Sequence, residues 1–417
     1  MTLALGIDLG TSGIRCAVID ADGAVVGRSR GAYPDDSADG WWLAVREGLQ
    51  ALRDLIGAQA MAAIRHAAVD GTSGSMVLVD AALQPVTPPL MYDSSGFEAE
   101  AAHIAQHAPD GHMTRGPSSA LARMLRLQGM AGARDAAHLC HQADFILARL
   151  TGIGGHSDEN NALKTGYDVE ARVWPAWIGG TDVDCKLLPK VHGVGTVVHT
   201  LDPAVAKTFG LSTDVMMHAG TTDSIAAFLA TGAAEVGDVV TSLGTTLAIK
   251  MLSDVRIDDA AQGIYSHRMG DKWLVGGASN TGGGALLAHF TVEDLETLSA
   301  RIDPDTPSDL DYYPLPRPGQ RFPVNDPDLP PRVTPRPEDD ALFLKGLLEG
   351  IARIEAACYA ALRDLGAPQM TRIFTAGGGA SSDVWQAIRA RMIDTPFATP
   401  LESEAAVGAA RLAQSRM

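Results

Sequence analysis

The sequence predicts an α/β protein of two domains with a cleft between them. The chain has 417 residues, which is more than one hydrophobic core usually supports. Apolar, β-branched runs typical of strands alternate with segments of helical periodicity. A strand–turn–strand pattern around Leu9-Gly10-Thr11-Ser12 returns past the midpoint around Leu243-Gly244-Thr245-Thr246. These observations predict one β-hairpin with hydroxyl groups at its bend in each half of the chain.

Composition restricts the class of protein and of partner. Hydrophobic residues make up 46% of the chain and charged residues 20%, a balance typical of a well-packed globular protein. The formal net charge of −17 would repel nucleic acid and anionic membranes, and no run of Lys or Arg offsets it. We therefore expect a small-molecule ligand. Monomer and homodimer both stay open as the oligomeric state.

The cysteines and the N-terminus indicate the cytoplasm. Cys16, Cys140, Cys185 and Cys358 are scattered, without a Cys-x-x-Cys pair or a histidine at metal-ligand spacing, so we expect reduced thiols. The first apolar strand has no basic region before it, which argues against a signal peptide. No apolar run approaches the roughly 20 residues that span a bilayer.

The first half of the chain predicts strands, helices and a third polar bend. Residues 3–30 are typical of two or three strands, with Asp22-Gly23 as a turn signal. A later strand leads into the polar run 70–75, Asp-Gly-Thr-Ser-Gly-Ser, and an apolar run leaves it. Helical spacing of apolar residues covers four segments, 41–56, 98–107, 119–128 and 143–150.

The second half contains further helices and glycine turns. Residues 218–223 open an apolar helix over 224–231, and a glycine-rich run at 278–284 follows the second hairpin. Eleven of the 23 prolines lie between Pro304 and Pro337, which predicts a long irregular surface segment or a strap between elements. The elements predicted after it are a helix over 339–364, a strand over 373–376 and the glycine turn 377–379.

The two hairpin bends carry the residues expected to bind phosphate. A glycine lets the backbone approach a ligand closely, while turn N–H groups and Thr or Ser hydroxyls donate to one anionic group. Thr11 and Ser12 would act in the first bend, and Gly244, Thr245 and Thr246 in the second. Either bend alone could be an ordinary hairpin turn, whereas the pair suggests one polyphosphate held from both sides.

Two aspartates are the candidate acidic residues of a phosphoryl-transfer site. Asp8 ends the first strand beside the first bend, and a carboxylate next to a phosphate makes electrostatic sense with Mg²⁺ between them. The alternative is an Asp that caps its own turn. Asp223 begins a helix whose dipole stabilises the ionised form, so it could orient and deprotonate a hydroxyl. Its alternative is a simple helix N-cap.

Glycines of the second half could accommodate a nucleoside. Gly378 and Gly379, between a strand and a helix, could admit an adenosine against bare backbone. Trp385 could then be a flat neighbour for the purine, and Gly283 of the glycine-rich run is assigned to the same nucleotide site. The alternative for each glycine run is a generic tight turn.

Four motifs, taken in order, resemble the FGGY family of carbohydrate kinases. They begin at Gly6, Ala219, Ser242 and Gly377 and end at Ser12, Asp223, Thr246 and Ala380, and they span nearly the whole chain. The resemblance implies an actin-like ATPase fold, in which two ribonuclease-H-like α/β domains enclose a cleft. It also implies ATP and Mg²⁺ as cofactors, a sugar-binding domain at 1–226 plus 403–417, and a nucleotide-binding domain at 227–402. Asp223 would be the catalytic base that contacts the sugar, and Asp8 a carboxylate of the substrate and metal site.

Within that family, residues 70–74 and 160–168 look most like the short pentulose kinases of plants and cyanobacteria, which act on D-ribulose or D-xylulose. That likeness implies that Ser73 contacts the sugar. The family often has a Gln-x-His-Gly stretch where this chain has Gly74-Ser75-Met76-Val77, and an arginine near the position of Tyr92-Asp93-Ser94-Ser95. Both departures lie on the sugar side, and they argue against hexulose, glycerol and ordinary bacterial xylulose specificity.

These inferences predict an ATP-dependent kinase that phosphorylates a primary hydroxyl of a ketopentose, D-ribulose first and D-xylulose next. A kinase of another polyol or a sugar acid is the alternative within the family. A chaperone-like or filament-forming ATPase and a non-catalytic sugar sensor share the predicted fold. The chain ends soon after its last predicted helix, without a β-rich peptide-binding domain, which favours the kinase over the chaperone.

Overall fold

The chain forms two compact units in the computed structural model, which describes residues 2–415. Unit 1 comprises Met1–Ala230, His267–Asp271 and Glu404–Met417, and unit 2 comprises Thr231–Ser266 and Lys272–Ser403. Residues 404–415 therefore belong to the same unit as residues 2–230. The sugar and nucleotide domains inferred from the sequence, with their bounds, stay a prediction.

Up to Ala230 the chain is a mixture of strands and helices. The strands are β1 (Leu3–Leu9), β2 (Gly13–Ile19), β3 (Val25–Ala32), β4 (Ile64–Gly71), β5 (Met76–Val79), β6 (His138–His141), β7 (His156–Asp158), β8 (Lys190–His192), β9 (Val197–Thr200) and β10 (Met216–Thr222). The helices are α1 (Ala38–Ala62), α2 (Glu98–Ile104), α3 (Ala120–Gln128), α4 (Gln142–Thr151), α5 (Glu159–Lys164), α6 (Pro203–Phe209) and α7 (Asp223–Ala230).

A six-stranded sheet forms the centre of unit 1, in the order β3-β2-β1-β4-β10-β9. Strand β1 pairs with β2 as an antiparallel hairpin and with β4 in parallel, and β4 pairs in parallel with β10. All seven residues of β1 are buried, as expected for a central strand covered on both faces. Three parallel strands therefore end side by side at the same end of the sheet.

The rest of the chain adds a second six-stranded sheet, in the order β13-β14-β12-β11-β15-β16. Strand β11 forms an antiparallel hairpin with β12 and pairs in parallel with β15, so this sheet also places a hairpin beside a parallel strand. The strands are β11 (Asp238–Leu243), β12 (Leu247–Ser253), β13 (Tyr265–Met269), β14 (Lys272–Ser279), β15 (Arg372–Ala376) and β16 (Phe397–Ala398). The helices are α8 (Gly283–Leu287), α9 (Val292–Ser299), α10 (Asp340–Asp364), α11 (Asp383–Met392) and, within unit 1, α12 (Ala405–Gln414).

Both hairpins predicted from the sequence are confirmed, and so is the long helix, which is α10. The Asp22-Gly23 turn joins β2 to β3, and Gly23 has a φ of 81°, which glycine adopts without strain. The helix predicted over 98–107 is shorter and ends at Ile104. Among residues 2–415, no helix is long and apolar enough to cross a membrane.

The proline-rich segment 304–337 has no helix or extended strand, as predicted, and it acts as a strap within unit 2. Tyr312 and Phe322 are 1% and 0% exposed. The Tyr312 ring packs edge-on against Phe343 of α10, and Thr281 Oγ1 donates a hydrogen bond to the Pro314 carbonyl at 2.6 Å. The strap therefore holds the turn after β14 against the long helix.

Helix α12 packs at very short range against α7 and β1 in unit 1. A Cβ atom at Gly408 of α12 would lie 1.7 Å from the Ala226 carbonyl oxygen of α7, and one at Gly6 of β1 would lie 1.8 Å from the Ala406 carbonyl oxygen. The backbones touch here because both positions lack a side chain. Helix α12 thereby fixes the elements that carry Asp223 and Asp8.

We expect Gly408→Ala to lower the free energy of unfolding by about 1–3 kcal/mol or more. The new methyl group would overlap a backbone carbonyl that cannot rotate away. Thermal denaturation measures the loss. The matched control is Gly179→Ala, because a Cβ atom at Gly179 meets nothing within 4 Å. Equal melting temperatures for the two variants would contradict this account of the contact.

Candidate active site

Acidic and hydroxyl side chains lie together at the carboxyl ends of three adjacent parallel strands in unit 1. Asp8 of β1 is in register with Asp70 of β4, which is in register with Thr221 of β10. Gly220 permits this close pairing, because a Cβ atom there would lie 1.7 Å from the Val69 carbonyl oxygen. In open α/β sheets, ligands bind at the carboxyl ends of the strands. This end of the sheet is therefore the candidate active site.

Asp8 is a buried carboxyl group that pairs with Arg15. Asp8 is 3% exposed, and its Oδ2 accepts a hydrogen bond from Arg15 Nη1 at 3.2 Å. Burial raises the pKa of the Asp8 carboxyl, while the positive charge of Arg15 acts to lower it. A cation bound beside this carboxyl would favour its ionised form.

Asp70 lies in the candidate site, although the sequence analysis gave this residue no role. It is 0% exposed, and neither carboxyl oxygen has a hydrogen-bond partner among the described residues. Burial, and then the nearby Asp8 carboxyl, raise the pKa of Asp70 well above its ordinary value. The sequence does contain a signal for a site residue here. Asp70 is a carboxyl residue that follows an apolar run and directly precedes the bend 71–75.

Asp223 is the first residue of α7 and directly follows β10, so the predicted helix start is confirmed. Its Oδ1 accepts a hydrogen bond from the Ser224 backbone N at 2.6 Å, and the residue is partly exposed. The charge of Asp223 also contributes to raising the pKa of Asp70. The structure thus brings Asp223 to the same end of the sheet as Asp8 and Asp70.

Other polar groups of unit 1 have unused hydrogen-bonding capacity. The Ser73 hydroxyl, predicted to contact the sugar, has no partner among the described residues. Asn160 Nδ2 donates to Thr221 Oγ1 at 3.1 Å and Asn161 Nδ2 donates to the Thr221 carbonyl at 3.2 Å. The Oδ1 atoms of both asparagines lack partners in the same part of the chain. The sequence analysis assigned no role to these two asparagines. They are related to the site only by their contacts with β10, which the sequence does not show.

The first hairpin bend presents its hydroxyl groups to solvent. Thr11 and Ser12 are exposed, and the Gly10 N–H closes the turn by donating to the Gly13 carbonyl at 3.0 Å. Thr11 Oγ1 lies 3.2 Å from the Tyr92 hydroxyl oxygen. The bend therefore exposes hydroxyl groups, and its role in phosphate binding stays a prediction.

The second hairpin bend lies beside another glycine turn in unit 2. Thr245 and Thr246 are exposed. The Gly283 N–H donates to the Gly244 carbonyl at 2.8 Å, and the Gly284 N–H donates to the Thr245 carbonyl at 2.9 Å. Gly283, which begins α8, is thus brought directly against the bend.

The third glycine turn of unit 2 contacts the same bend. A Cβ atom at Gly377 would lie 3.1 Å from the Gly244 N atom, whereas one at Gly378 would meet nothing within 4 Å. Trp385 differs from its predicted role. It is 3% exposed, and its ring lies under Gly379, where a Cβ atom would lie 2.6 Å from the ring. The Trp385 ring is therefore buried against the glycine turn and is not available to stack on a purine.

The acidic residues of unit 1 fit Mg²⁺ as carboxylate ligands. Among residues 2–415, no group of three or more His, Cys, Asp or Glu side chains could hold a metal ion by itself. Mg²⁺ at a phosphate site typically uses one or two carboxylates and takes its other ligands from phosphate and water. Asp8, with the unpartnered oxygens of Asp70 beside it, satisfies this smaller requirement.

Comparisons with known proteins relate the chain to sugar kinases. Residues 239–417 match the model of the FGGY family of carbohydrate kinases, C-terminal domain. The chain is 24% identical to a xylulose kinase of Escherichia coli strain K12 over 98% of its own length and 89% of that protein. It is 24% identical to a gluconokinase of Bacillus licheniformis over 51% of its own length and 45% of that protein.

Solved structures show the fold. The structure superposes on that of a xyloylose kinase from Brucella ovis with a TM-score of 0.88 and 23% identity, covering 99% of this chain and 90% of the other. The actin-like ATPase fold predicted from the resemblance is therefore confirmed. Residues 239–417 of the chain form a C-terminal domain of the FGGY family of carbohydrate kinases.

Proposed function

We propose that the chain transfers the γ-phosphoryl group of MgATP to a primary hydroxyl of a ketopentose, D-ribulose first and D-xylulose next. The products would be a pentulose 5-phosphate and ADP. The observation that carries the proposal is the set of carboxyl groups, Asp8, Asp70 and Asp223, at the ends of adjacent strands. A buried acidic site next to an accessible phosphate-binding bend suits the alignment of an alcohol with a phosphoryl group.

Asp223 is the base in this proposal. Its carboxylate orients the primary hydroxyl and accepts the hydroxyl proton, while the alcohol oxygen forms a bond to the γ-phosphorus. The bond from that phosphorus to the bridging oxygen breaks, and ADP leaves with the bonding electrons. Because phosphoryl transfer has a loose transition state, positioning of the alcohol contributes more than the strength of the base.

The other polar residues have binding roles. Ser73, whose hydroxyl is unpartnered, hydrogen-bonds to the sugar. Thr11 and Ser12 of the first bend, and Thr245 and Thr246 of the second, donate to phosphate oxygens. Gly244, Gly283, Gly378 and Gly379 provide backbone against which the nucleotide can lie. Asp8 would hold Mg²⁺, which when bound neutralises negative charge on the phosphates.

A neutral sugar fits the site better than a sugar acid. Gluconokinases are among the proteins similar to this chain, so gluconate is the second candidate substrate. A gluconate carboxylate would add a fourth carboxyl group to this site, and each of the other three would repel it when ionised. A ketopentose offers only hydroxyl and carbonyl groups to the same acidic residues. The likeness of residues 70–74 to the plant and cyanobacterial pentulose kinases adds support for D-ribulose.

An ADP-release assay over a panel of acceptors tests the proposal. The panel contains D-ribulose, D-xylulose, L-ribulose, L-xylulose, glycerol, gluconate and a reaction without acceptor. We expect the highest kcat/KM with D-ribulose, the next with D-xylulose, and little ADP without acceptor. A highest rate with gluconate would replace the ketopentose with a sugar acid, and an equal rate without acceptor would contradict a sugar kinase.

A further inference from the structure

A closed ring of hydrogen bonds joins two bends of unit 1. One bend is residues 10–12, between β1 and β2. The other is residues 72–75, between β4 and β5, and includes Ser73. The two bends lie far apart in sequence and share no strand. Side chains from α4 and from two loops connect them.

One arm of the ring runs through Gln142, the first residue of α4. Its Oε1 accepts hydrogen bonds from the Thr72 backbone N at 3.0 Å and from Thr72 Oγ1 at 2.7 Å. Its Nε2 donates to the Tyr33 hydroxyl at 3.4 Å, and the Tyr33 hydroxyl donates to the Gly10 carbonyl at 2.9 Å. A backbone N–H can only donate, so the amide oxygen of Gln142 must face Thr72.

The other arm runs through Tyr92. The Tyr92 backbone N donates to Ser75 Oγ at 2.9 Å, and Ser75 Oγ lies 2.6 Å from Thr72 Oγ1. Because the Thr72 hydroxyl donates to Gln142, the Ser75 hydroxyl is the donor to Thr72. The Tyr92 hydroxyl lies 3.2 Å from Thr11 Oγ1, and this contact closes the ring at the first bend.

The hydrogen bonds that lead from Ser75 to Thr72 and then along the first arm all point the same way. Ser75 donates to Thr72, Thr72 to Gln142, Gln142 to Tyr33 and Tyr33 to the Gly10 carbonyl. Hydrogen bonds in such a chain polarise one another, so a break at one link weakens the others. A displacement of one bend therefore weakens the hydrogen bonds that hold the other bend.

Arg123 of α3 stiffens the ring from one side. Its Nη1 donates to the Gly74 carbonyl at 3.3 Å, and its Nη2 donates to the Tyr92 carbonyl. The residue is 2% exposed, and its guanidinium lies over the Phe97 ring. One buried side chain thus holds the 72–75 bend and the Tyr92 segment in a fixed relation.

We infer that Gln142 is a positioning residue that, through this ring, couples the sugar-binding bend 72–75 to the phosphate-binding bend 10–12. The inference rests on the proposed function for the identity of the two ligands. By linkage, a ligand that orders one bend then favours binding at the other. Gln142 touches neither ligand, and it acts by holding Thr72 and Tyr33.

Two variants test the ring. Gln142→Leu changes a buried side chain, and Tyr92→Phe changes an exposed one. Gln142→Leu removes both functions of the buried amide. Tyr92→Phe removes only the hydroxyl contact to Thr11, on a side chain that is 39% exposed, and so leaves the core intact. Gln106→Leu is the matched control, because Gln106 is an exposed glutamine with one long contact, 3.5 Å, to the Ala102 carbonyl.

The first readout is hydrogen exchange of the chain without ligands, which does not depend on the substrate. We expect Gln142→Leu to increase amide exchange at residues 10–13 by about tenfold or more, a factor that corresponds to about 1.4 kcal/mol. Gln106→Leu leaves exchange at these residues unchanged. An increase confined to residues 72–75 would overturn the ring as a coupling device, even if the chain phosphorylates D-ribulose. If Gln142→Leu does not fold, the same comparison is made with Tyr92→Phe.

The second readout is the effect of D-ribulose on the Kd of MgADP. We expect D-ribulose to tighten MgADP binding to the unsubstituted chain by a factor of about 5 or more. This factor falls toward 1 in Tyr92→Phe, and kcat falls while the melting temperature stays the same. An unchanged factor in Tyr92→Phe would overturn the coupling. Absence of D-ribulose binding in the unsubstituted chain would instead contradict the proposed substrate, and the exchange readout would still decide on the ring.

Discussion

Asp223→Ala abolishes phosphoryl transfer while leaving ATP binding nearly unchanged, and this is the largest effect that we expect from one substitution. A positioned general base contributes about 10²- to 10⁴-fold to the rate, so kcat falls by that factor. The nucleotide affinity is retained, because the bends at 10–12 and 244–246 do not use the Asp223 carboxylate. An ADP-release assay gives kcat, and a fluorescence titration with an ATP analogue gives Kd.

The matched control is Asp54→Ala, which removes an exposed carboxyl from α1. It should keep both kcat and Kd. Turnover by Asp223→Ala close to that of the unsubstituted chain would move the base to another residue. Asp70 would be the first to examine, since its carboxyl oxygens have no partners in the described part of the chain.

Arg389→Met lowers the free energy of unfolding of unit 2 by about 3–5 kcal/mol. Arg389 of α11 is fully buried and donates to both carboxyl oxygens of Glu355, at 2.7 and 2.6 Å, and to Thr375 Oγ1 at 2.7 Å. The Tyr359 hydroxyl also donates to Glu355, at 2.5 Å. Removal of the guanidinium would leave the buried Glu355 carboxylate without its cationic partner. The resulting loss in the free energy of unfolding is much larger than that for a surface ion pair.

Urea denaturation measures the effect of Arg389→Met, and hydrogen exchange in β15 locates it in unit 2. The matched control is Arg301→Met. Arg301 pairs with Asp339 at 2.8 Å with both side chains about half exposed, so its loss should cost about 0–1 kcal/mol. Similar losses in the two variants would show that the buried network does not hold α10, α11 and β15 together.

Local sequence signals were sufficient to predict the hairpins and the start of α7. Glycine, threonine and serine at the bends are flanked by apolar strands, and those signals depend only on neighbouring residues. Asp8 and Asp223 were found for the same reason, since each lies where one element ends and the next begins. The family resemblance then supplied the fold, which the structural comparison confirms.

Contacts between distant segments could not be read from the sequence. Asp70 joins the site through its strand register with Asp8 and Thr221, and a register between parallel strands has no local signal. The burial of Trp385 depends on Gly379 above its ring, and this contact, which argues against the predicted purine neighbour, has no local signal. Gln142 meets Thr72 only because α4 begins beside the end of β4.

A crystal structure with a non-hydrolysable ATP analogue, Mg²⁺ and D-ribulose tests the central claim most directly. Our account predicts phosphate oxygens on the backbone N–H groups of both bends, 10–12 and 244–246, and a primary hydroxyl of the sugar within hydrogen-bonding distance of Asp223. A nucleotide held by one bend alone, or a sugar bound away from the carboxyl ends of β1, β4 and β10, would contradict the account.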